Sequence, residues 1–373
     1  MSFRFKNKKI IFLLNSPDLG GAERQALALA GYLQNSLGCD IFIYTCIKRE
    51  PSFPFEDFLK EQKLMRIELV KNPLVASKYF KYFKIRFKLL CFALKLKKHN
   101  PDLIIPYLNK PSLITGYCKK IIGTKLSFWN NRGHEIYRND ILEKKAVLHS
   151  DFFLVNSLDS ISDVLTNFKI SKENVYFLPN FLTVSNKIVD FPRNKNDLVV
   201  GMLAHFRKGK LQELLLETFV ELSKKYKFIK LHLVGNDFDE KKTASLKLSV
   251  QINGLIEKVS FIHGASGENE IPKFDIAILV SEKEGMSNSV MEYMYFEKPI
   301  IASNHYGNEF LLGEHNQFLI NNSKAELFEK IECLILDEQL RKSAGQKNKK
   351  RILENFSVVK YVSELENIIN KYI

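Results

Sequence analysis

The stretch from Asp275 to Met294 constrains this chain more than any other. It opens with an apolar run, Ile276 to Val280, of strand length. Ser281 to Gly285 is turn chemistry. Ser287 or Asn288 is then suited to capping a helix that carries Val290, Met291 and Met294 inward. Strand, glycine turn and helix start together aim backbone N–H groups and a positive helix end at an anion. Two glutamates bracket the turn, Glu284 before Gly285 and Glu292 two helical turns in. Carboxylates repel phosphate, so these two are better explained as acceptors for hydroxyls. A phosphate with hydroxyls on both sides is the outline of a nucleotide-sugar.

The same strand-turn-helix grammar recurs along the chain. Lys9 to Leu14 reads as a buried parallel strand, Gly20-Gly21 as its turn, and Ala22 to Gln34 as an amphipathic helix. That is how a doubly wound fold begins. Asp40 to Thr45, Asp102 to Pro106, Lys125 to Trp129, Phe152 to Val155 and Val175 to Leu178 read as further strands. Residues 183–197 are polar and read as a linker. Leu198 to Leu203 opens a second series, with a helix from Leu211 to Tyr226 and strands at Lys230–Val234 and Val259–Ile262, both followed closely by glycine. A chain of 373 residues exceeds one ordinary core, so two domains are expected, 1–185 and 186–355. Val358 to Ile373 reads as a final helix.

The formal net charge is +14. Through Lys98 there are 19 Lys plus Arg against 8 Asp plus Glu, so most of the excess sits in the first quarter. Such asymmetry points to an anionic surface as partner. From Lys71 to Pro101 there is no acidic residue. Phe80, Phe83, Phe87, Leu90, Cys91 and Leu94 follow helical spacing there, with Lys81, Lys84, Lys88 and Lys95 about 100° away. This suits an interfacial helix on an anionic membrane, through Lys81, Lys84, Lys88, Phe83 and Phe87. The competing reading packs the apolar stripe on the chain's own sheet. The five cysteines form no Cys-x-x-Cys pair, which fits a reducing compartment without disulfides or zinc. No stretch reaches the roughly 18 apolar residues of a spanning helix, and Ile10 to Leu14 is too short for a signal core. The expected location is cytoplasmic, peripheral on the inner face of the membrane. No metal, cofactor or nucleic acid is expected.

Glu284 to Glu292 resembles the Glu-x7-Glu motif of retaining glycosyltransferases of family 4. Lys298-Pro-Ile-Ile-Ala302 and Gly307-Asn308-Glu309 extend the match. Gly20-Gly21-Ala22-Glu23-Arg24 resembles that family's first glycine loop, which implies backbone contact with the donor phosphates or the acceptor. His134 stands where the family has a histidine facing the reacting sugar. Val175 to Asn180 matches a Pro-Asn-Gly strand end, with Phe181 in place of glycine. Lys210 falls where members carry a phosphate-binding lysine, and its partner cation is His205 or Arg207. Ile262 and His263 lie where the base takes backbone hydrogen bonds. Asp237-Phe238-Asp239 reads as a loop and helix N-cap, not a metal pair.

The resemblance implies an α/β fold of GT-B type, two doubly wound Rossmann-like domains facing across a cleft, with 356–373 crossing back to the first. It implies retaining transfer of a hexose-type sugar from a nucleotide-diphosphate-sugar, UDP favoured, to a lipid-linked or polysaccharide acceptor. Glu284 would hold sugar hydroxyls. The N–H groups of Gly285, Met286, Ser287, Asn288 and Ser289 would hold sugar or phosphate, and Glu292 the ribose. His205 or Arg207, with Lys210, would neutralise the leaving diphosphate. The alternatives are an epimerase or phosphorylase on the same fold, or a basic adaptor without catalysis.

Overall fold

The computed structural model describes residues 2–75, 81–132, 138–183 and 197–373, without the side chain of Lys81. His134, Lys78, Phe80 and most of the expected linker lie outside the described residues. The chain divides into two compact units, Met1–Phe181 with Val358–Ile373, and Leu182–Ser357. The division falls at Phe181, a few residues before the position expected from the polar segment.

In the first unit, β1 (Lys9–Leu14), β2 (Asp40–Thr45), β3 (Ile67–Leu69) and β4 (Leu103–Pro106) form a parallel sheet in the order β3-β2-β1-β4. β5 (Phe128–Asn131), β6 (Phe152–Val155) and β7 (Val175–Phe177) form a second parallel set. The two sets meet edge to edge. Asn130 Nδ2 donates to Pro106 O at 2.8 Å, and the N–H of Leu108 donates to Asn130 O at 3.0 Å. β1 is apolar and buried from Ile10 to Leu14, as expected of a strand covered on both faces. The helix Gly21–Leu37 ends at Gly38, whose φ of 68° is the left-handed stop that glycine adopts without strain. The last helix, Val358–Ile369, belongs to this unit. It buries Tyr361, Val362, Leu365, Ile368 and Ile369 in the same core as Phe5 and Phe181.

The helix Lys81–Lys97 has two apolar faces. Ile85, Leu89, Phe92, Ala93 and Leu96 are buried against the unit. The stripe at helical spacing, Phe83, Phe87, Leu90 and Leu94, points to solvent instead, with Phe83 72% and Phe87 59% exposed. The inward face is a second, less aromatic set that the eye passes over in the sequence. The reading in which the stripe packs on the chain's own sheet is therefore overturned.

In the second unit, β8 (Leu198–Leu203), β9 (Ile229–Val234), β10 (Val259–Ile262), β11 (Ile276–Leu279), β12 (Ile300–Ser303) and β13 (Leu319–Ile320) form one parallel sheet. Its order is β10-β9-β8-β11-β12-β13. The chain builds outward from β8 to β10, then starts again on the other side at β11. The loops that follow β8 and β11 diverge there, which makes this edge the topological switch point where doubly wound sheets bind ligands. Gly201 on β8 lies under the Phe274 ring, where a Cβ would collide with it.

Candidate functional site

Lys210 and Glu284 come together at that switch point. Lys210 follows β8 and Glu284 follows β11, and the ammonium and carboxylate form an ion pair. The two side chains are only 10% and 16% exposed. The loops that carry them are knitted first through the backbone. The N–H of Leu211 donates to Val280 O at 3.1 Å, and that of Glu282 to Gly209 O at 2.8 Å. Gly209 sits at φ 85°, a geometry that favours glycine. Gln212 is buried and donates through Nε2 to His205 O at 3.1 Å, closing the β8 loop from beneath.

The turn carrying Glu284 is braced from β12 and beyond. Ser281 N–H donates to Ser303 Oγ at 2.8 Å, while Ser281 O accepts from His305 Nε2 at 2.8 Å and Asn322 Nδ2 at 2.9 Å. Gly307 packs against Gly285 so closely that a Cβ would run into the Gly285 carbonyl. Ser287, not Asn288, is the cap: its side chain accepts from Val290 N–H at 3.4 Å at the head of the helix Asn288–Tyr295. Met286 and Glu292 are buried, and a Cβ on Gly267 would meet the Glu292 carboxylate. The residues from Glu284 to Glu292 thus occupy one rigid turn and helix start.

On the other side of the switch, the loops after β8, β9 and β10 are joined by histidines. His205 Nδ1 accepts from Asn236 N–H at 3.2 Å, and the ring packs edge-on to Phe238. Burial, Arg207 and Lys210 hold its pKa below the ordinary histidine value, so its outer nitrogen carries the proton without charge. Arg207 is exposed. His263 Nδ1 donates to Gly235 O at 3.0 Å. Ile262 O accepts from Gly235 N–H at 3.0 Å, so the carbonyl that the resemblance assigns to a base is already engaged once. Asp239 caps the helix Glu240–Ile252 by accepting from Lys242 N–H at 3.1 Å. Asp237 Oδ1 accepts from Asp239 N–H at 3.1 Å, so both aspartates shape the loop. Among the described residues, no three His, Cys, Asp or Glu side chains gather as metal ligands.

The first unit carries its own polar edge. Glu23 is buried at the head of the helix Gly21–Leu37. Burial pushes its carboxyl up to about 7, against hydrogen bonds from the amides of Glu23 and Gly20. Those amides are the ones a phosphate at Gly20-Gly21 would need, so the chain's own carboxyl competes for them. Arg132 is buried at the end of β5. It donates to Asn130 Oδ1 at 2.6 Å, Leu178 O at 2.9 Å and Tyr361 OH at 2.6 Å. Phe181 fills the position where a glycine was in question. It is buried against Tyr361, and Gln25 hydrogen-bonds both its N–H and its C=O.

Sequence reading missed Lys242, His305 and Asn322. Lys242 and Asn322 belong to no motif, and His305 lies inside the span of the resemblance without a stated role; each meets the two loops by tertiary contact. Gly307 lay inside the quoted resemblance without a stated role.

Residues 184–351 match the family profile described as Glycosyl transferases group 1. The poly(ribitol-phosphate) alpha-N-acetylglucosaminyltransferase of Staphylococcus aureus is 25% identical over 213 residues, which cover 56% of this chain and only 41% of that protein. A Campylobacter jejuni alpha-1,4-N-acetyl-D-galactosaminyltransferase, named for its GalNAc-GalNAc-diNAcBac-PP-undecaprenol substrate, is 24% identical over 385 residues, 96% of this chain and 99% of that one. The crystal structure of Anabaena HepE in complex with UDP and glucose superposes with a TM-score of 0.78 at 16% identity, covering 98% of this chain and 100% of that one. The structural likeness establishes the fold as GT-B.

Proposed function

We propose that this chain, a glycosyltransferase with the GT-B fold, is a retaining enzyme. It moves a hexose-type sugar from a nucleotide-diphosphate-sugar to a lipid-linked or polysaccharide acceptor in bacterial cell-surface polysaccharide synthesis. One observation carries the reading: a lysine and a glutamate, held by separate loops, meet at the switch point of a doubly wound sheet. A diphosphate laid there gains the Lys210 ammonium and the head of the helix Asn288–Tyr295. Glu284, released from part of its pairing, accepts from sugar hydroxyls. Arg207 is the stronger choice for the second cation, because His205 is neutral and already bonded to Asn236. Glu292 serves the ribose, and the loops at Ile262 and His263 the base. UDP is the favoured nucleotide, since HepE binds it on the same fold.

The acceptor side is assigned to the first unit, with His134, outside the described residues, as its catalytic candidate. The exposed stripe Phe83, Phe87, Leu90 and Leu94, beside Lys84, Arg86 and Lys88, is assigned to an anionic bilayer. Among the described residues no helix is long and apolar enough to cross a membrane. Incubation with labelled nucleotide-sugars and a membrane lipid extract tests the reading. Label passing to the lipid fraction supports it. Free epimerised donor points to an epimerase on this fold, and no conversion at all to a non-catalytic adaptor.

A further inference from the structure

Lys242 stands in the first turn of the helix Glu240–Ile252, next to an exposed Lys241. Its own side chain is only 10% exposed. Instead of entering solvent, the ammonium donates to the backbone carbonyl of Lys210 and, at 2.7 Å, to Glu213 Oε2. Withdrawing an ammonium from water is costly unless charge and hydrogen bonds replace the hydration. Both replacements here come from the loop and helix that follow β8.

We propose that Lys242 is a positioning residue for the donor diphosphate. It fixes the main chain from which Lys210 projects, and it masks the carboxylate of Glu213. The first part follows from geometry. The Lys210 backbone is held toward β11 by the bridge to Ser281, and toward β9 by the Lys242 ammonium. A long lysine stem aims its charge well only if its root is fixed. The second part follows from electrostatics. Glu213 lies in the first turn of the helix Gln212–Lys225, beside the place proposed for two phosphates. An unmasked carboxylate there would repel them and would also compete with Glu284 for Lys210. The proposal rests on the donor-site reading through the role given to Lys210.

The test compares Lys242→Met, Lys242→Gln, Lys242→Arg and the double variant Glu213→Gln/Lys242→Met, with Lys210→Ala as reference. Each is first checked for an unchanged melting temperature. UDP affinity by calorimetry is read beside donor KM and kcat. Loss of one charge-assisted bond and one mask should weaken UDP binding and raise donor KM by about tenfold or more. Lys242→Arg should stay near wild type, and the double variant should recover part of the loss. Wild-type UDP binding in both Lys242→Met and Lys242→Gln, while Lys210→Ala is impaired, overturns the proposal alone. A Lys210→Ala variant that binds UDP normally overturns the donor-site reading and this proposal with it. A double variant no better than Lys242→Met removes the masking role.

Discussion

Lys210 and Glu284 are each other's counter-charge before any ligand arrives. A bidentate or doubly charged ligand must therefore share the pair, not fill an empty hole. Removing either partner leaves the other charge partly buried and unbalanced, which is more damaging than deleting both. We predict that Glu284→Gln and Lys210→Ala each lower turnover at saturating donor by about a hundredfold or more, with the fold intact. Near-normal turnover in either would move the donor elsewhere. Glu23 gives a separate prediction. Its folded pKa is raised from 4.5 to about 7. Below the lower value both folded and unfolded chains hold the proton. As pH rises, the unfolded chain loses it first, so stability falls between about 4.5 and 7 and then levels off. Glu23→Gln should lack this slope, and the difference between the two stability profiles should reach on the order of 3 kcal/mol. Urea melts from pH 4 upward check it; superimposable profiles would mean that Glu23 is not held in its neutral form.

The helix Lys81–Lys97 and the turn at Gly285 illustrate two kinds of legibility. The helix was plain from its spacing, yet its orientation was not, because both faces are apolar. The inward face, Ile85, Leu89, Phe92, Ala93 and Leu96, shares a core with Ile11 and Leu13 of β1 and Ile104 of β4, while Phe83 and Phe87 stay outside. Outward aromatics beside lysines should bind anionic vesicles, at about 1 kcal/mol per lysine near the surface. We predict cosedimentation with anionic but not neutral vesicles, loss on changing Lys81, Lys84 and Lys88 to Glu, and a comparable loss with Phe83→Ser/Phe87→Ser. Vesicle binding untouched by both changes would remove this helix from membrane contact. The Gly285 turn was read correctly as strand, turn and capped helix, because glycine and serine chemistry is local. Its bracing was not readable: His305 and Asn322 meet Ser281 only after β12 and β13 have been laid down. Gly307→Ala should push the Gly285 carbonyl aside. We expect a lowered melting temperature and weakened UDP binding; a variant with both unchanged would show that the turn tolerates displacement.

Two doubly wound units follow from the repeated alternation of short apolar strands with glycine turns and amphipathic helices, which leaves few other architectures open. The strand order was not visible in that alternation, and neither was the return of Val358–Ile369 to the first core in its packing detail. Order depends on which crossover goes left and which goes right, and it is order that creates the switch point. The candidate site was legible only as residue types: Glu284, Gly285 and Glu292 lie within one strand-turn-helix stretch, and Lys210 was set beside them by the family resemblance. Their support was legible only where it was local in sequence. The central claim is that a nucleotide-sugar lies on the loops after β8 and β11. Hydrogen–deuterium exchange of the intact chain, with and without the nucleotide-sugar it turns over, reads this directly. We predict slowed exchange in peptides covering 204–211 and 281–289 on adding donor, with little change along the helix Lys81–Lys97. Protection that spares both loops, or that appears only in the first unit, would contradict it.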